Sequence, residues 1–314
     1  MISKKGMMQV SYTIAVIGSC VTDIILQVPH LPSSQEDINI RSQTMSLGGC
    51  AWNAAHMLSL FGLSYALCTP VGQGIYGDYV KAQLNKHQVT SFFPEAKEAN
   101  GCCYCLIEEN GERSFLADHG AEYHFQKEWF SLLDQEPIQT VYICGLEIEE
   151  ESGQYIIDYL LRHPNLTIYF ACGPRILSIP PHRMKQLFAL HCILHLNQEE
   201  ALSYTQKQTV EEAAQLLYQY TNQTVIITLG DKGCYLFENN QGHRIPTVPK
   251  KVVDTIGAGD AHIGSIIALR TLGKSMTEAI EIANYISGEV VSMQGSLLTQ
   301  TQFDSCVHDL SQRI

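Results

Sequence analysis

The stretch "VVDTIGAGDAHIGS", residues 252–265, crowds two aspartates, a threonine and two glycines between an apolar pair and the start of a helical pattern. Gly257 and Gly259 permit backbone conformations closed to other residues, so the N–H groups from 257 to 260 can converge on one concavity where a helix predicted over 260–271 begins. Such an amide nest, with a helix dipole behind it, holds an anion without Lys or Arg. A site that only bound phosphate would gain nothing from the Asp260 carboxylate at its lip. The carboxylate suits a base that takes the proton from a hydroxyl as that hydroxyl attacks phosphorus. The other reading of Asp260 is a helix cap, a role aspartate fills well.

An acidic chain needs such a device if it handles phosphate. The formal net charge is −12, and no Lys/Arg block is longer than Lys4-Lys5 or Lys250-Lys251, which argues against nucleic acid as a partner. With 314 residues, 45% of them hydrophobic, the chain can bury a full core. Its 11 cysteines are odd in number and lie mostly in apolar runs, as expected of buried thiols in a reducing compartment. The group Cys102, Cys103 and Cys105 lacks a second ligand pair at zinc-finger spacing, and His191 and His195 sit in a strand-like run without the Glu of a zinc-protease helix. No apolar stretch has signal-peptide or membrane-span length, so the expectation is a cytoplasmic protein that meets no membrane.

Short β-branched runs at 12–18, 65–71, 140–145, 166–171, 192–196 and 224–230 alternate with helical periods at 51–61, 77–88, 125–133, 153–162, 182–189, 209–220, 260–271 and 277–293. This alternation predicts an α/β fold, a doubly wound, mostly parallel sheet flanked by helices. Residues 23–47 and 101–118 break the pattern and read as strands with turns, the second as a hairpin around Glu109-Asn110-Gly111. Both are too short for a core of their own and are expected to form a small β-sheet lid within a single domain over 11–309. Residues 1–10 are expected to be a flexible N-terminus. "GQGIYG" at 72–77 matches a dinucleotide-binding pattern, but it follows a complete βα passage, and the region that should supply a ribose-binding acid runs into the lid. A tight turn before the 77–88 helix is the competing reading.

"DTIGAGD" resembles the C-terminal signature of the ribokinase-like, or PfkB, carbohydrate kinases, and "GGCAWNAA" at 48–55 resembles their N-terminal Gly-Gly signature. "GSCVTD" at 18–23, "NQEE" at 197–200, "TLGDKG" at 228–233 and "IAN" at 282–284 follow in family order over roughly residues 12–300. The resemblance implies that Asp260 is the base and that the amides of Gly257, Ala258 and Gly259 form an anion hole. It implies that Asp23 binds substrate hydroxyls, while Gly48, Gly49 and Asn53 let the substrate approach the backbone. It places Thr228, Gly230 and Gly233 in a nucleotide groove with Asn284 near the adenine and Asp254 and Thr255 as supporting positions. Glu200, three residues from Asn197 and so expected on the same helical face, would organise Mg2+ through water.

The implied activity is an ATP-dependent transfer of the γ-phosphoryl group to a hydroxymethyl of a small sugar or sugar-like compound, of ribose, fructose or sugar-acid type. A nucleoside kinase for adenosine, inosine or pseudouridine is the alternative, with Tyr104 or Phe115 stacking on the base. A sugar- or nucleotide-sensing protein without catalysis is the alternative from another class. A monovalent cation such as K+ beside the 254–256 loop and dimerisation through the lid are further implications of the resemblance. Four positions depart from the family pattern: Ser265 stands where a small Gly is frequent, and Gly74 and Ala171 stand where relatives often have acids, Ala171 thus leaving Arg175 without its familiar companion. His262 stands where Phe is usual.

Overall fold

Twelve strands among the described residues follow one another along the chain: β1 (Ile14–Ile17), β2 (Val21–Gln27), β3 (Ser42–Gly48), β4 (Ala66–Cys68), β5 (Cys102–Ile107), β6 (Arg113–Asp118), β7 (Thr140–Cys144), β8 (Thr167–Ala171), β9 (Ile193–Asn197), β10 (Val225–Thr228), β11 (Cys234–Glu238) and β12 (Gln241–Ile245). They belong to a computed structural model that describes residues 11–311; the segment 1–10, expected to be flexible, lies outside the described residues.

Eight strands form one sheet in the order β12-β11-β10-β9-β8-β7-β1-β4. From β10 to β4 all neighbours are parallel, and β11 and β12 add an antiparallel edge. The parallel strands are the six β-branched runs seen in the sequence, continuous rather than alternating because both of their faces are covered. Helices Gly153–Arg162, Pro181–Ala189 and Val210–Thr221 cover one face, with Phe170, Leu194 and Ile227 in that core. Helices Cys50–Leu60, Gly74–Lys86, Ala258–Thr271 and Met276–Val291 cover the other, around Val16, Tyr142 and Ile226. Strand order reverses at β1, which lies between β4 and β7, and the crevice at the carboxyl ends of these strands is where such sheets take ligands.

The other four strands form a second, smaller sheet from the segments expected to make the lid, in the order β3-β2-β5-β6. Asp23 is in register with Ser46 and Cys103, and Cys103 with Ala117, so these four share one face of the lid. By the same alternation Phe115 and Arg113 lie on that face and Tyr104 on the opposite one, which separates the two aromatics considered for base stacking. The β5–β6 turn closes at Asn110-Gly111, with Gly111 at φ 87° and Asn110 Oδ1 accepting from the Glu112 N–H at 2.8 Å. Cys102, Cys103 and Cys105 are free thiols on β5.

Several elements differ from expectation. The predicted helix 125–133 is a 3-10 turn Lys127–Trp129 followed by one helical turn Phe130–Leu133. The β11–β12 hairpin and the helices Gln198–Thr205 and Gln300–Ser311 are additional. The "GQGIYG" segment is a tight turn: Gly74 at φ 81° opens the helix Gly74–Lys86, and a Cβ on Gly72 would lie 2.0 Å from Glu98 O. No helix among the described residues is long and apolar enough to cross a membrane.

Candidate active site

At the β1 end of the crevice, two adjacent glycines bring three segments together. A Cβ on Gly48 would sit 1.9 Å from Asp23 Oδ2, and one on Gly49, whose φ is +100°, would sit 2.4 Å from Ser19 O. Only glycines allow β3 to run this close to β2 and turn into the helix Cys50–Leu60. That helix carries Asn53, whose Nδ2 donates to Asp260 Oδ2 at 2.9 Å while its Oδ1 accepts from Ser296 Oγ at 3.2 Å. The two sequence signatures, 207 residues apart, therefore meet in one hydrogen bond.

Asp260 is not the cap. Gly257, at φ 73°, is the N-cap of helix Ala258–Thr271, and Asp260 stands in the first turn without a capping bond. The first N–H to reach back into the helix is that of Ala261, 2.8 Å from Gly257 O. The Ala258 N–H makes a long 3.4 Å contact with Thr255 O, so among the described residues the N–H groups of Gly257, Gly259 and Asp260 are left unpaired at a helix N-terminus. Gly257 is required by its positive φ and by a Cβ that would fall 2.4 Å from Ser296 Cβ. Gly259 differs from expectation: it is helical with no positive φ, and its missing Cβ opens onto empty space.

Burial pushes Asp260 up to about 6, against the pull of the Asn53 hydrogen bond. Burial, with the Asp260 charge second, pushes Asp23 up to about 7. The buried Glu147, also raised by burial, lies behind the site with Oε1 accepting from the Ser19 N–H at 2.8 Å. A carboxylate titrating near 6 in a crevice beside unpaired N–H groups is equipped to accept a hydroxyl proton.

Beyond Gly259 opens a cavity of about 200 Å³ lined by Thr228, Gly230, Gly233, Thr255, Ala258, His262 and Asn284, among others. Four of the five expected nucleotide-groove residues are thus together. Gly233, at φ 86°, could not carry a Cβ, which would lie 2.2 Å from Ile245 O. Asn284 is buried, its Nδ2 spent on Ile245 O and Pro246 O at 3.1 and 3.3 Å. The fifth residue, Asp254, stands beside the cavity rather than in its wall. Its Oδ1 accepts from Arg113 Nη1 at 2.6 Å and the Ile256 N–H at 2.8 Å, and its Oδ2 from the Gly295 N–H at 3.0 Å. Arg113 comes from β6, so the lid is joined to the loop that shapes the nest. The "NGER" turn of the sequence carries this arginine but nothing that names its partner 141 residues away.

Glu200 and Asn197 are not on one helical face. Asn197 ends β9 and caps helix Gln198–Thr205, and the two residues bond reciprocally as a capping box at 2.8–3.0 Å. Arg175, without its familiar companion at position 171, pairs instead with Glu149 Oε1 at 2.6 Å. His262 is held between His195 and Asn284.

The geometry of Gly48 makes one test direct. Gly48→Ala displaces the Asp23 carboxylate, and an acceptor that hydrogen-bonds to it should show a KM raised by roughly tenfold or more, with the KM for the phosphoryl donor unchanged. Steady-state kinetics with each substrate varied in turn checks this; an unchanged acceptor KM removes Asp23 from the acceptor site.

Comparison with known proteins shows the family to which the chain belongs. A family model described as pfkB family carbohydrate kinase matches residues 12–302. The chain is 29% identical over 287 residues to the Escherichia coli protein named uncharacterized sugar kinase YegV, covering 90% of this chain and 89% of that one. It is 26% identical over 298 residues to the ribokinase of Mus musculus, covering 90% of each. The crystal structure of the Thermotoga maritima ribokinase superposes with a TM-score of 0.82 at 23% identity, over 95% of this chain and 99% of that one, and shares its fold. With the two signatures joined at one site and the family match spanning nearly the whole sequence, the chain belongs to the pfkB family of carbohydrate kinases, phosphotransferases that act on hydroxyl groups.

Proposed function

We propose that this protein is an ATP-dependent sugar kinase that phosphorylates a hydroxymethyl group of a small carbohydrate, with Asp260 as the general base. The observation that carries the reading is the placement of the Asp260 carboxylate, held by Asn53 at 2.9 Å beside unpaired N–H groups at the helix N-terminus. Asp23, on the inward face of the lid, accepts acceptor hydroxyls. Asp260 takes the proton of the attacking hydroxyl, and the N–H groups of Gly257, Gly259 and Asp260 stabilise the charge that gathers on the transferring group. Arg113, through Asp254, ties the lid to this loop so that the closed lid excludes water from the crevice.

The 200 Å³ cavity, with Thr228, Thr255 and Gly259 on its walls, supports a place for the nucleoside part of the donor, with its phosphates outside toward the unpaired N–H groups. Bound with ATP, Mg2+ supplies charge neutralisation on the phosphates. Among the described residues no group of three or more His, Cys, Asp or Glu could hold a metal, and Glu200, whose two carboxylate oxygens accept from the Asn197 N–H and Nδ2, would meet Mg2+ only through water. A monovalent cation at the 254–256 loop would be held largely by backbone carbonyls, since the Asp254 carboxylate already meets a guanidinium and two backbone N–H groups. We assign no step to one. Dimerisation through the lid belongs to the same proposal.

The two raised carboxyls set a pH dependence. Asp260 acts only when ionised, so kcat/KM should fall as pH drops through about 6, and the Asp23 titration near 7 adds a second proton to the loss. The expected log kcat/KM profile steepens from a slope of about one to about two below pH 6, and Asp23→Asn should return it to one. A flat profile from pH 5 to 8 would contradict Asp260 as the base. Thermal shift with a non-hydrolysable ATP analogue tests the acceptor class: a shift with ribose, ketoses or sugar acids is expected, and a shift with nucleosides alone would move the assignment to nucleoside kinase.

A further inference from the structure

The buried chain His195–His262–Asn284 takes no part in proton transfer, yet it runs beneath the donor cavity. His262 Nδ1 lies 2.9 Å from His195 Nε2, and His262 Nε2 lies 3.0 Å from Asn284 Oδ1. Asn284 Nδ2 faces the carbonyls of Ile245 and Pro246, which orients the amide and leaves Oδ1, an acceptor, toward the histidine. His262 Nε2 must therefore carry a hydrogen. Burial holds both rings neutral, lowering His262 to about 4 and His195 well below the usual histidine range. A neutral imidazole has one N–H, so His262 Nδ1 is bare and accepts from His195 Nε2–H. One tautomer of each ring satisfies the whole chain.

These bonds join four parts of the fold: β9 through His195, the helix of Asp260 through His262, the helix Met276–Val291 through Asn284, and the segment after β12. That segment lines the cavity with Thr247 and Val248, and Thr247 Oγ1 adds a bond of 3.2 Å to Asn284 O. We propose that His262 is a positioning residue for the nucleotide, which acts through Asn284 to hold the 245–248 wall in register with the helix that carries the anion nest. An apolar ring at 262 fills the same volume but removes the partner of Asn284 Oδ1 and of the His195 N–H, both on buried residues. The wall then loses its tie to the nest. The inference rests on the reading of this cavity as the ATP site.

The test compares His262→Phe, which removes both bonds, with His262→Gln, whose amide can donate to Asn284 and accept from His195. The KM and Kd for ATP should rise about tenfold in His262→Phe with the acceptor KM unchanged, and should return to within about threefold of wild type in His262→Gln. Equal ATP affinity in His262→Phe and wild type, or a parallel rise in both KM values, overturns the inference. Nitrogen-15 NMR of the wild-type histidines is a second measurement, independent of how the variants fold. It should show His262 with a protonated Nε2 and a bare Nδ1; the opposite tautomer contradicts the chain. A wild-type protein that binds no ATP overturns the cavity reading and the inference with it. Wild-type binding together with an unaltered Phe variant overturns the inference alone.

Discussion

Asp260→Asn is expected to lower turnover by roughly 10²–10⁴-fold while ATP still binds, because it removes the proton acceptor and leaves the neighbouring N–H groups in place. The amide keeps nearly the same shape beside Asn53, so the loss isolates the base from the geometry. The same substitution should make the protein more stable. Asp260 has its pKa raised to about 6 from an ordinary value of 3.8, so the folded chain binds its proton more tightly than the unfolded chain does. Its contribution to stability is present below pH 4 and is lost as pH rises through 6; above that the buried charge is a net cost. Removing the charge should therefore raise the unfolding free energy by about 1–3 kcal/mol at pH 8 and by less at pH 5, read by thermal or denaturant unfolding of both proteins. A variant less stable than wild type at pH 8 would show that the ionised carboxylate is held favourably and is not poised to take a proton.

Gly257→Ala is expected to act by a different route. The new Cβ would lie 2.4 Å from Ser296 Cβ, at a residue whose φ of 73° disfavours any side chain. The loop must move, and the unpaired N–H groups of 257, 259 and 260 move with it. Loss of one preorganised donor of this kind typically costs about 10²–10³ in kcat. Asn53 also bonds Ser296, so the displacement reaches the partner of Asp260. The contrasting variant is Gly259→Ala, whose Cβ meets no protein atom within 4 Å. It should leave the fold intact and weaken the binding of ATP, because its methyl group projects into the donor cavity. Rapid-mix measurement of the phosphoryl-transfer step separates the two. Equal losses at 257 and 259, both in ATP binding, would mean that the nest grips the nucleotide and does not serve the reacting group.

The parallel core was legible because strands covered on both faces are continuously apolar: β1 is so throughout, and β7, β8, β9 and β10 are so but for Thr140, Thr167, His195, Asn197 and Thr228. The β11–β12 hairpin was not, since four of the five β12 residues are exposed and carry no apolar run. Its signal lay in the turn: Asn239 and Asn240 both have positive φ, the pairing a tight hairpin demands. The helix Gln300–Ser311 had two signals, Thr299 and Gln302, which bond to one another across its first turn, and Phe303, Cys306 and Leu310 at helical spacing, which pack into the core. Within the site, Gly257 and Asp260 could be read locally because a turn, a dipole and a carboxylate are neighbours in sequence. The Asn53–Asp260 and Arg113–Asp254 contacts could not, as they join residues 207 and 141 positions apart through the packing of whole layers. His262 could be read in the sequence only as a departure from the family pattern for the same reason, since its partners His195 and Asn284 come from other elements.

Release of ADP, coupled to detection of the phosphorylated product, across a panel of pentoses, hexoses, ketoses, sugar acids and nucleosides tests the central claim most directly. The account predicts ADP formed in step with a sugar phosphate, rising with pH through about 6 and lost in Asp260→Asn. Sugar-dependent ADP release in Asp260→Asn within about tenfold of the wild-type rate, or ADP release with nucleosides alone, would contradict it.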